Sequence, residues 1–525
     1  MVFDAKLVGN RHRVKRESLH PFFFRCAVAF EELLARDVLL EPDEIDAIGI
    51  ETLAAQYGIA LTLESPQPIP PPQSSLSPLS SAFNPSSPVR VLSSYNKPSK
   101  KRTYDDFVAY FRHRFAAISA ILRQHQELLG VTSISRIQAK RESEKVAIIG
   151  MIVEKNLTKN KNIVLRVEDT TGEIVVIVSN TKPELLEQAH DLVLDETIGI
   201  LGRGGGKTIF ADRIVLPDVP LANELKKAKE EQYLVIVGDV HIGGKAFLKK
   251  EFETMLGWLD GHHGTPEQRA VAKNVRYLIF TGDLVEGVGV YPGQEADLEV
   301  KDITKQYEEF TSYARRIPQH IQIIICPGNH DAGRIAEPQP PLYRDFAKAV
   351  YDLPNVTIIS SPGMINIAST TTFSGFNILL YHGYSLIYYA ENVKSIRNAG
   401  GQKATDRIMR FLLQRRHLAP THGSNLYIPD NEEDPLVISK VPDFFITGHI
   451  HRVATAQYRN VTLINASCWT EITEDQEKRG LEPQPGRLPV VNLRTREIKV
   501  MNFYSEKKKE EKGEAASTSK QGGVP

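Results

Sequence analysis

The sequence has little cysteine, and this scarcity excludes the small secreted folds that disulfide bonds hold together. Its 525 residues include three cysteines, Cys26, Cys326 and Cys468, which are too far apart in sequence to form a CxxC metal site. The sequence also lacks an apolar run of the ~20 residues that a membrane span requires. The basic residues near its start are not followed by the apolar region of a signal peptide. We therefore expect a protein of the cytoplasm.

The sequence also lacks an excess of positive charge. Lys plus Arg and Asp plus Glu each total 64, so the formal net charge at pH 7 is zero. Without a global basic field, any contact with nucleic acid must be made by a local group of side chains. The length predicts several domains, because one domain usually has ~100 to 200 residues.

Composition and periodicity divide the chain into six segments. Residues 65–100 are crowded with Pro and Ser, which predicts a flexible linker. Two amphipathic helices are predicted before it, at 22–34 and 43–57, and another helix after it, from Thr103 to a stop at Gly130. The predicted segments are a small helical N-terminal domain at 1–64, the linker at 65–100, a helical connector at 101–140, an OB-fold domain at 141–218, an α/β domain at 219–504 and a disordered tail at 505–525.

The segment at 141–218 has the element order of an OB barrel, which is three strands, a helix and two strands. Such barrels bind single strands or serve as docking modules. Phe210 is the main aromatic residue that could stack on a base, so we expect the barrel to dock on the following domain instead of binding a strand tightly. The stretch Gly202–Thr208 lacks the first glycine of a phosphate loop and joins two strands, so we interpret it as a hairpin.

Five short apolar runs in the second half predict buried strands of an α/β sheet that is covered on both faces. Each run is followed by residues of metal-ligand type, at the edge where α/β sheets place their sites. In chain order these residues are Asp239 and His241 in GDVHIGG, Asp283 in TGDLVEG, Asn329 and His330 in PGNHD, His382 in YHG, and His449 and His451 in GHIH.

The ligand types favour a pair of divalent metal ions. Carboxylate and amide oxygens mixed with imidazoles, without a thiolate, suit Mn, Fe or Zn in a catalytic pair better than a structural zinc. Any one of these motifs alone is more often structural, but five in order, each after a predicted strand, rarely arise by accident. Other residues lack this context: we predict that His262, His263 and His320 are surface residues and that Cys326 is a core residue.

The ordered motifs resemble those of the calcineurin-like metallophosphoesterases over roughly residues 233–470. The resemblance implies an α/β calcineurin-like phosphoesterase sandwich at 219–504, preceded by the OB-fold β-barrel and the small helical domain. It implies two metal ions that bind a phosphate and activate a water molecule. His330 would act as a catalytic proton donor or stabilise the transition state, and Asp331 would orient it. The implied metal ligands are Asp239, His241 and His451 for one ion, Asn329, His382 and His449 for the other, and Asp283 for both.

A longer resemblance covers roughly residues 140–504. The segment RRHLAPTHGSNLYIP, with DPLVISKVPDFFITGHIH after it, is similar to the small subunit of the archaeal family-D DNA polymerase. The resemblance implies a 3′ to 5′ proofreading exonuclease that hydrolyses DNA at single-stranded or mismatched 3′ ends. Manganese is the first candidate metal, with iron, zinc or magnesium as alternatives. The implied partners are a large catalytic polymerase subunit and DNA, with a sliding clamp as a further candidate.

Two other functions stay open. The related small subunits of eukaryotic replicative polymerases have degenerate metal motifs and act as scaffolds, so a non-catalytic accessory subunit is one alternative. An independent phosphodiesterase or repair nuclease is the other. The basic residues that could guide a strand are Lys159, Lys161, Lys245 and Arg334. The apolar residues that could contact a partner, with core packing as an equal alternative, are Leu418, Leu426, Leu436 and Val437.

Overall fold

The computed structural model describes residues 88–98, 100–140, 144–472 and 482–504. The helical domain predicted at 1–64 and the tail predicted at 505–525 lie outside the described residues, as does the predicted linker up to residue 87. The α-helices of the described part are α1 Tyr104–Leu122, α2 Ile134–Gln138, α3 Pro183–His190, α4 Lys249–Leu259, α5 Pro266–Lys273, α6 Ile303–Ala314, α7 Arg344–Tyr351, α8 Leu386–Asn392, α9 Lys394–Asn398 and α10 Thr405–Arg415.

The strands of the described part form one barrel and two open sheets. They are β1 Val89–Ser94, β2 Glu144–Leu157, β3 Ile163–Asp169, β4 Gly172–Val178, β5 Thr197–Gly205, β6 Thr208–Val215, β7 Tyr233–Val237, β8 Val275–Phe280, β9 Gln322–Ile325, β10 Val356–Ile358, β11 Gly363–Ile367, β12 Phe376–Leu380, β13 Phe444–Thr447, β14 Ala454–Tyr458, β15 Val461–Asn465, β16 Arg487–Asn492 and β17 Ile498–Asn502.

Strands β2 to β6 close into a five-stranded barrel with the order β2-β3-β4-β6-β5. The pairs are antiparallel except β4 and β6, which run parallel because α3 and β5 intervene between them in the chain. Alternate residues of β3 point inward, as the period of two requires, and Ile163, Leu165 and Val167 are buried. Gly202–Thr208 lies in the β5–β6 hairpin, so the hairpin interpretation is confirmed.

Two six-stranded sheets pack face to face in the α/β domain. One has the order β1-β11-β12-β13-β15-β14 and the other β10-β9-β8-β7-β16-β17. Both contribute to the apolar core between them, for example through Ile236 and Ile279 of one sheet and Ile378 and Ile446 of the other. Helices α4 and α6 cover the outer face of the second sheet, and α10 covers that of the first. The predicted α/β architecture is confirmed.

The last part of the predicted linker is a strand. Val89–Ser94 forms β1, which pairs antiparallel with β11 at the edge of the first sheet, with Val89 opposite Ile367. The linker prediction rested on Pro and Ser content, but that content falls after Pro88, and the run VRVLSS suits a half-exposed edge strand. The linker prediction at 65–100 is therefore wrong for these residues.

The connector contains a shorter helix than predicted. Helix α1 ends at Leu122 and not near Gly130, because the polar run RQHQE that follows offers no apolar face to bury. The buried Arg114 of α1 donates to Asp434 Oδ2 at 2.6 Å and to the Pro420 carbonyl at 2.8 Å. These bonds fix the helix against the long segment that precedes β13. In the part of the chain that the structure describes, every helix is too short or too polar to cross a membrane.

The long segment before β13 contributes to the core. Leu418 and Leu436 are each 1% exposed, and the Leu418 N–H donates to the Leu436 carbonyl at 2.9 Å. Both pack on the first sheet with Met409 and Phe445, so of the two alternatives core packing holds for these residues. Leu426, in contrast, is 60% exposed and stays a candidate for partner contact.

Candidate metal centre

The predicted ligands converge at one edge of the two sheets. Strands β7, β8 and β9 are parallel neighbours, as are β12 and β13, so each set of C-terminal ends lies side by side. The loops that follow these strands form one cluster of eight side chains. The cluster consists of Asp239, His241, Asp283, Asn329, His330, His382, His449 and His451.

Asp239, His241 and His451 form the first group, with potential ligand atoms that lie within 4.8 Å of one another. The Nε2 atoms of His241 and His451 are 3.2 Å apart, a distance at which they must share a proton or face a common cation. The Nδ1 atom of His241 is 3.0 Å from Glu286 Oε2. The Nδ1 side of the ring therefore faces a carboxylate while Nε2 faces the cluster, an arrangement also found at metal-bound histidines.

Asp283, His382 and His449 form the second group, again with potential ligand atoms within 4.8 Å of one another. The Nε2 atom of His382 is 2.9 Å from Asn329 Oδ1, 3.2 Å from His449 Nδ1 and 3.3 Å from Asp283 Oδ2. The other ring nitrogen, Nδ1, donates to the Thr281 carbonyl at 2.8 Å. In the neutral ring, Nε2 therefore carries a lone pair that faces the cluster.

Asp283 lies between the two groups. Its Oδ2 is 3.8 Å from His241 Nε2 and 3.3 Å from His382 Nε2, while its Oδ1 accepts the His330 N–H at 2.8 Å. Burial opposes its charge, but the surrounding imidazoles of His382, His330 and His241 together outweigh burial and hold the pKa of Asp283 well below its usual value. An ionised carboxylate in this position suits a bridging ligand.

The chemistry of the remaining donors fits divalent ions. Burial, with help from the nearby His382, lowers the pKa of His449 to about 3, and burial holds the pKa of His451 well below its usual value. Both rings are therefore neutral at pH 7 and can offer a lone pair. Burial raises the pKa of Asp239 to about 7, a cost that a bound cation would offset. Carboxylate, amide and imidazole donors of this kind are common ligands of divalent metal ions.

The backbone around the cluster adopts conformations that are rare for residues other than glycine. Asp239, His241, Asp283, His449 and His451 have φ between 41° and 69°, the left-handed region that L residues rarely adopt. Gly328 is required by space, because a Cβ there would overlap the Asp283 side chain and approach the His382 ring at 2.8 Å.

His330 forms a third group with His241 and Asp283, whose potential ligand atoms lie within 4.8 Å of one another, and its ring is held by the backbone. Its Nδ1 is 2.8 Å from the Glu286 carbonyl, so Nδ1 donates there and Nε2 is left for another partner. Asp331, which we expected to orient this ring, instead accepts the N–H groups of Gly328 and Leu284 and the Tyr307 hydroxyl. The Asp331 carboxylate thus connects the loops that contain Leu284 and Gly328. The His330 ring is oriented by the backbone carbonyl of Glu286, so the prediction for Asp331 is wrong.

Sequence reasoning missed Glu286, Thr281 and Tyr307. The first two belong to the TGDLVEG segment that also contains Asp283, so their position was a usable signal. Tyr307 lies on α6, where no motif marks it, yet its hydroxyl donates to Asp331 Oδ1 at 3.1 Å. Such support of the groups that hold a metal is common in metal sites.

The residues outside the cluster are placed largely as expected. His262, His263 and His320 are exposed, and Cys326 is buried in the core between the sheets, so these predictions are confirmed. Lys245 donates to the Ala296 carbonyl at 2.7 Å and Arg334 to the Pro338 carbonyl at 3.0 Å. These two basic side chains therefore stabilise the loops that contain Ala296 and Pro338. The exposed residues Lys159 and Lys161 of the β2–β3 loop stay candidates for strand contact.

Comparisons with known proteins assign the chain to a family. A sequence model that describes the B-type subunits of DNA polymerases alpha and epsilon matches residues 234–455. The DNA polymerase II small subunit of Methanothermobacter thermautotrophicus is 37% identical over 388 residues, covering 74% of this chain and 77% of that protein. The chain belongs to the DNA polymerase II small-subunit family. The predicted resemblance to the small subunit of archaeal family-D DNA polymerase is thereby confirmed.

Other small subunits of the family give the same result. That of Methanocaldococcus jannaschii is 37% identical over 74% of this chain and 64% of its own length. That of Archaeoglobus fulgidus is 36% identical over 78% of this chain and 79% of its own length. Among solved structures, an archaeal phosphodiesterase covers 51% of this chain and 99% of its own, at 14% identity and a TM-score of 0.25. A likeness of that size adds nothing to the family assignment.

Proposed function

We propose that this small subunit carries a calcineurin-like, two-metal 3′ to 5′ exonuclease that hydrolyses phosphodiester bonds at single-stranded or mismatched DNA ends. The carrying observation is the convergence of potential metal ligands into two groups that meet at Asp283. Buried polar atoms that face one another without a cation are costly. A purely structural edge of the sheets would have no use for two pairs of imidazole nitrogens at 3.2 Å.

The residues of the site would have different roles in hydrolysis. Bound divalent ions, with manganese as the first candidate, would polarise the phosphate and lower the pKa of a water molecule. His330 would give a proton from Nε2 to the leaving oxygen, because its Nδ1 is already used by the Glu286 carbonyl. The proposed metal ligands are Asp239, His241 and His451 for one ion, Asn329, His382 and His449 for the other, and Asp283 for both.

We also propose that the barrel is an OB fold with an architectural role in a complex with the large catalytic subunit. Phe210 is the one aromatic residue between positions 144 and 215, which leaves little surface for base stacking. The loop after α3 instead contacts the α/β domain: Glu196 pairs with the buried Arg415 at 2.9 Å, and Asp191 accepts the Ser395 N–H at 3.1 Å. Membership of a small-subunit family supports the large subunit as the partner.

The test is a nuclease assay of the full chain with added Mn²⁺. Single strands and mismatched primers, labelled at either the 3′ or the 5′ end, distinguish stepwise removal from the 3′ end from internal cleavage. We expect release of 3′-labelled mononucleotide from the wild type. Asp283→Asn should abolish hydrolysis and reduce the bound metal, because the bridging carboxylate serves both ions.

Three outcomes would change the proposal. Persistent hydrolysis and unchanged metal content in Asp283→Asn would contradict the two-metal assignment. Internal cleavage would favour a repair nuclease. Absence of hydrolysis by the wild type, both alone and with the large subunit that co-purifies with the tagged chain, would leave the scaffold role.

A further inference from the structure

A groove of about 460 Å³ shares the segment 449–452 with the candidate metal centre. Ile450 contributes to its lining and lies between the candidate ligands His449 and His451 in sequence, so the groove begins one residue from both. The other walls come from α8, α9, the turn at 400–403, Arg452 and Glu482. A strand whose end reaches the metal ions therefore has a groove beside it.

The groove contains three basic and two acidic side chains, in a chain whose formal net charge is zero. Arg397, Lys403 and Arg452 line it, against the two carboxylates of Glu391 and Glu482. The three cations are brought together only by the fold, because they come from α9, the following turn and the loop after the last ligand. Local basic clusters of this kind are the footprint of phosphate recognition.

One carboxylate in the groove is held as a phosphate would be. Glu482 Oε1 is 2.7 Å from Lys403 Nζ, and its Oε2 is 3.7 Å from Arg452 Nη1. A phosphodiester also presents two anionic oxygens that can be held between two cations. The side chains of Lys403 and Glu482 are 50% and 59% exposed, and ion pairs as exposed as this stabilise a protein little.

We propose that this groove binds the backbone phosphates of the DNA strand whose end enters the metal centre, with a phosphate displacing Glu482 from Lys403 and Arg452. The inference rests on the proposed function and specifies how that site holds its substrate. The contacts are with the backbone and not with bases, since the described residues that line the groove are charged, polar or aliphatic and include no aromatic ring. Binding is therefore tolerant of sequence and sensitive to salt.

The test measures binding of a fluorescein-labelled twelve-nucleotide oligothymidylate to the full chain by fluorescence anisotropy, over a range of NaCl concentrations. EDTA is present, so that hydrolysis does not interfere. The variants are Lys403→Ala, Glu482→Gln and a matched control, Lys499→Ala. The control removes an exposed lysine of β17 whose Nζ is 4.0 Å from Glu497 Oε1. Arg452 is left intact, because it follows the candidate ligand His451 and its loss would disturb the metal centre.

We expect Lys403→Ala to weaken binding by about three- to tenfold at low salt and to reduce the slope of log Kd against log salt by about 0.7, the value for one phosphate contact on a single strand. Glu482→Gln should tighten binding, because the competing anion is removed. Lys499→Ala should leave both quantities unchanged. Equal effects of Lys403→Ala and Lys499→Ala, or no tightening by Glu482→Gln, would overturn the groove assignment.

A second measurement separates this inference from the proposed nuclease. Hydrolysis of bis(p-nitrophenyl) phosphate with Mn²⁺ reports on the metal centre alone, because the substrate has no strand to occupy the groove. A wild type that hydrolyses the diester while Lys403→Ala binds DNA normally refutes the groove and keeps the phosphodiesterase. A wild type that binds DNA through Lys403 but never hydrolyses the diester, even with its large subunit, keeps the groove and refutes the nuclease.

Discussion

Arg415 fixes the barrel to the α/β domain through a buried ion pair. Its side chain is 4% exposed and its Nε is 2.9 Å from Glu196 Oε2, whose side chain is 1% exposed. A further guanidinium nitrogen donates to the Asp191 carbonyl at 2.8 Å. Burial raises the pKa of Glu196 and lowers that of Arg415, so the pair is costly to bury, and its Nε–Oε2 contact lacks the geometry of a hydrogen bond.

These contacts predict different costs for breaking the pair and for replacing it. Arg415→Met keeps the apolar stem but leaves the Glu196 carboxylate buried with the Val193 N–H as a hydrogen-bond donor, and should destabilise by about 3–5 kcal/mol. Adding Glu196→Gln removes the stranded charge while an oxygen still accepts the Val193 N–H. The double variant should recover about 2 kcal/mol of that loss.

The assay is urea unfolding followed by tryptophan fluorescence. Both tryptophans, Trp258 and Trp469, lie in the core of the α/β domain, so the signal reports on that domain, and limited proteolysis reports on the barrel. Arg407→Met is the matched control, because it removes an exposed arginine from the same helix and should change stability by no more than about 0.5 kcal/mol. The buried-pair explanation is wrong if Arg415→Met is as stable as this control. It is also wrong if the double variant is less stable than Arg415→Met.

Three further predictions concern the site and the core. His330→Ala should keep its metal, measured by elemental analysis, yet lose about 10² to 10⁴ of the hydrolysis rate; equal loss of metal would make His330 a ligand. Gly328→Ala should lose metal and about 1–3 kcal/mol of stability, because the added Cβ meets Asp283; unchanged metal content would contradict the packing. Leu436→Ala should destabilise by about 2–5 kcal/mol in urea unfolding, whereas the exposed Leu426→Ala should change stability by no more than about 0.5 kcal/mol.

The sequence was sufficient where local pattern decides the structure. The barrel strands alternate inward and outward, as in Ile163 to Val167, and the buried strands of the α/β domain are short runs bounded by polar ligands. The helix predicted between the third and fourth barrel strands is present at Pro183–His190, where proline at its start and the buried positions Leu185 and Ala189 mark it. In such elements a few neighbouring residues carry enough information.

The sequence was insufficient where distant segments meet. Val89–Ser94 is a strand because β11, far along the chain, offers an edge for it. Leu418 and Leu436 are core residues because their backbones pair and turn both side chains onto the first sheet. The basic groove escaped notice for the same reason, since Arg397 and Arg452 become neighbours only in the folded chain.

The backbone at the candidate ligands favours a retained metal site over a scaffold that has lost one. Five of them, Asp239, His241, Asp283, His449 and His451, have φ between 41° and 69°, which costs of order 1–3 kcal/mol for each non-glycine residue. Glycine would adopt the same φ without strain, so packing gives no reason for carboxylates and imidazoles at these positions. The conformation is held in part by the ligands themselves, because the Asp239 carboxylate accepts the His449 N–H at 3.0 Å. Two cations bound by these five side chains would offset this cost, and a scaffold would leave it uncompensated.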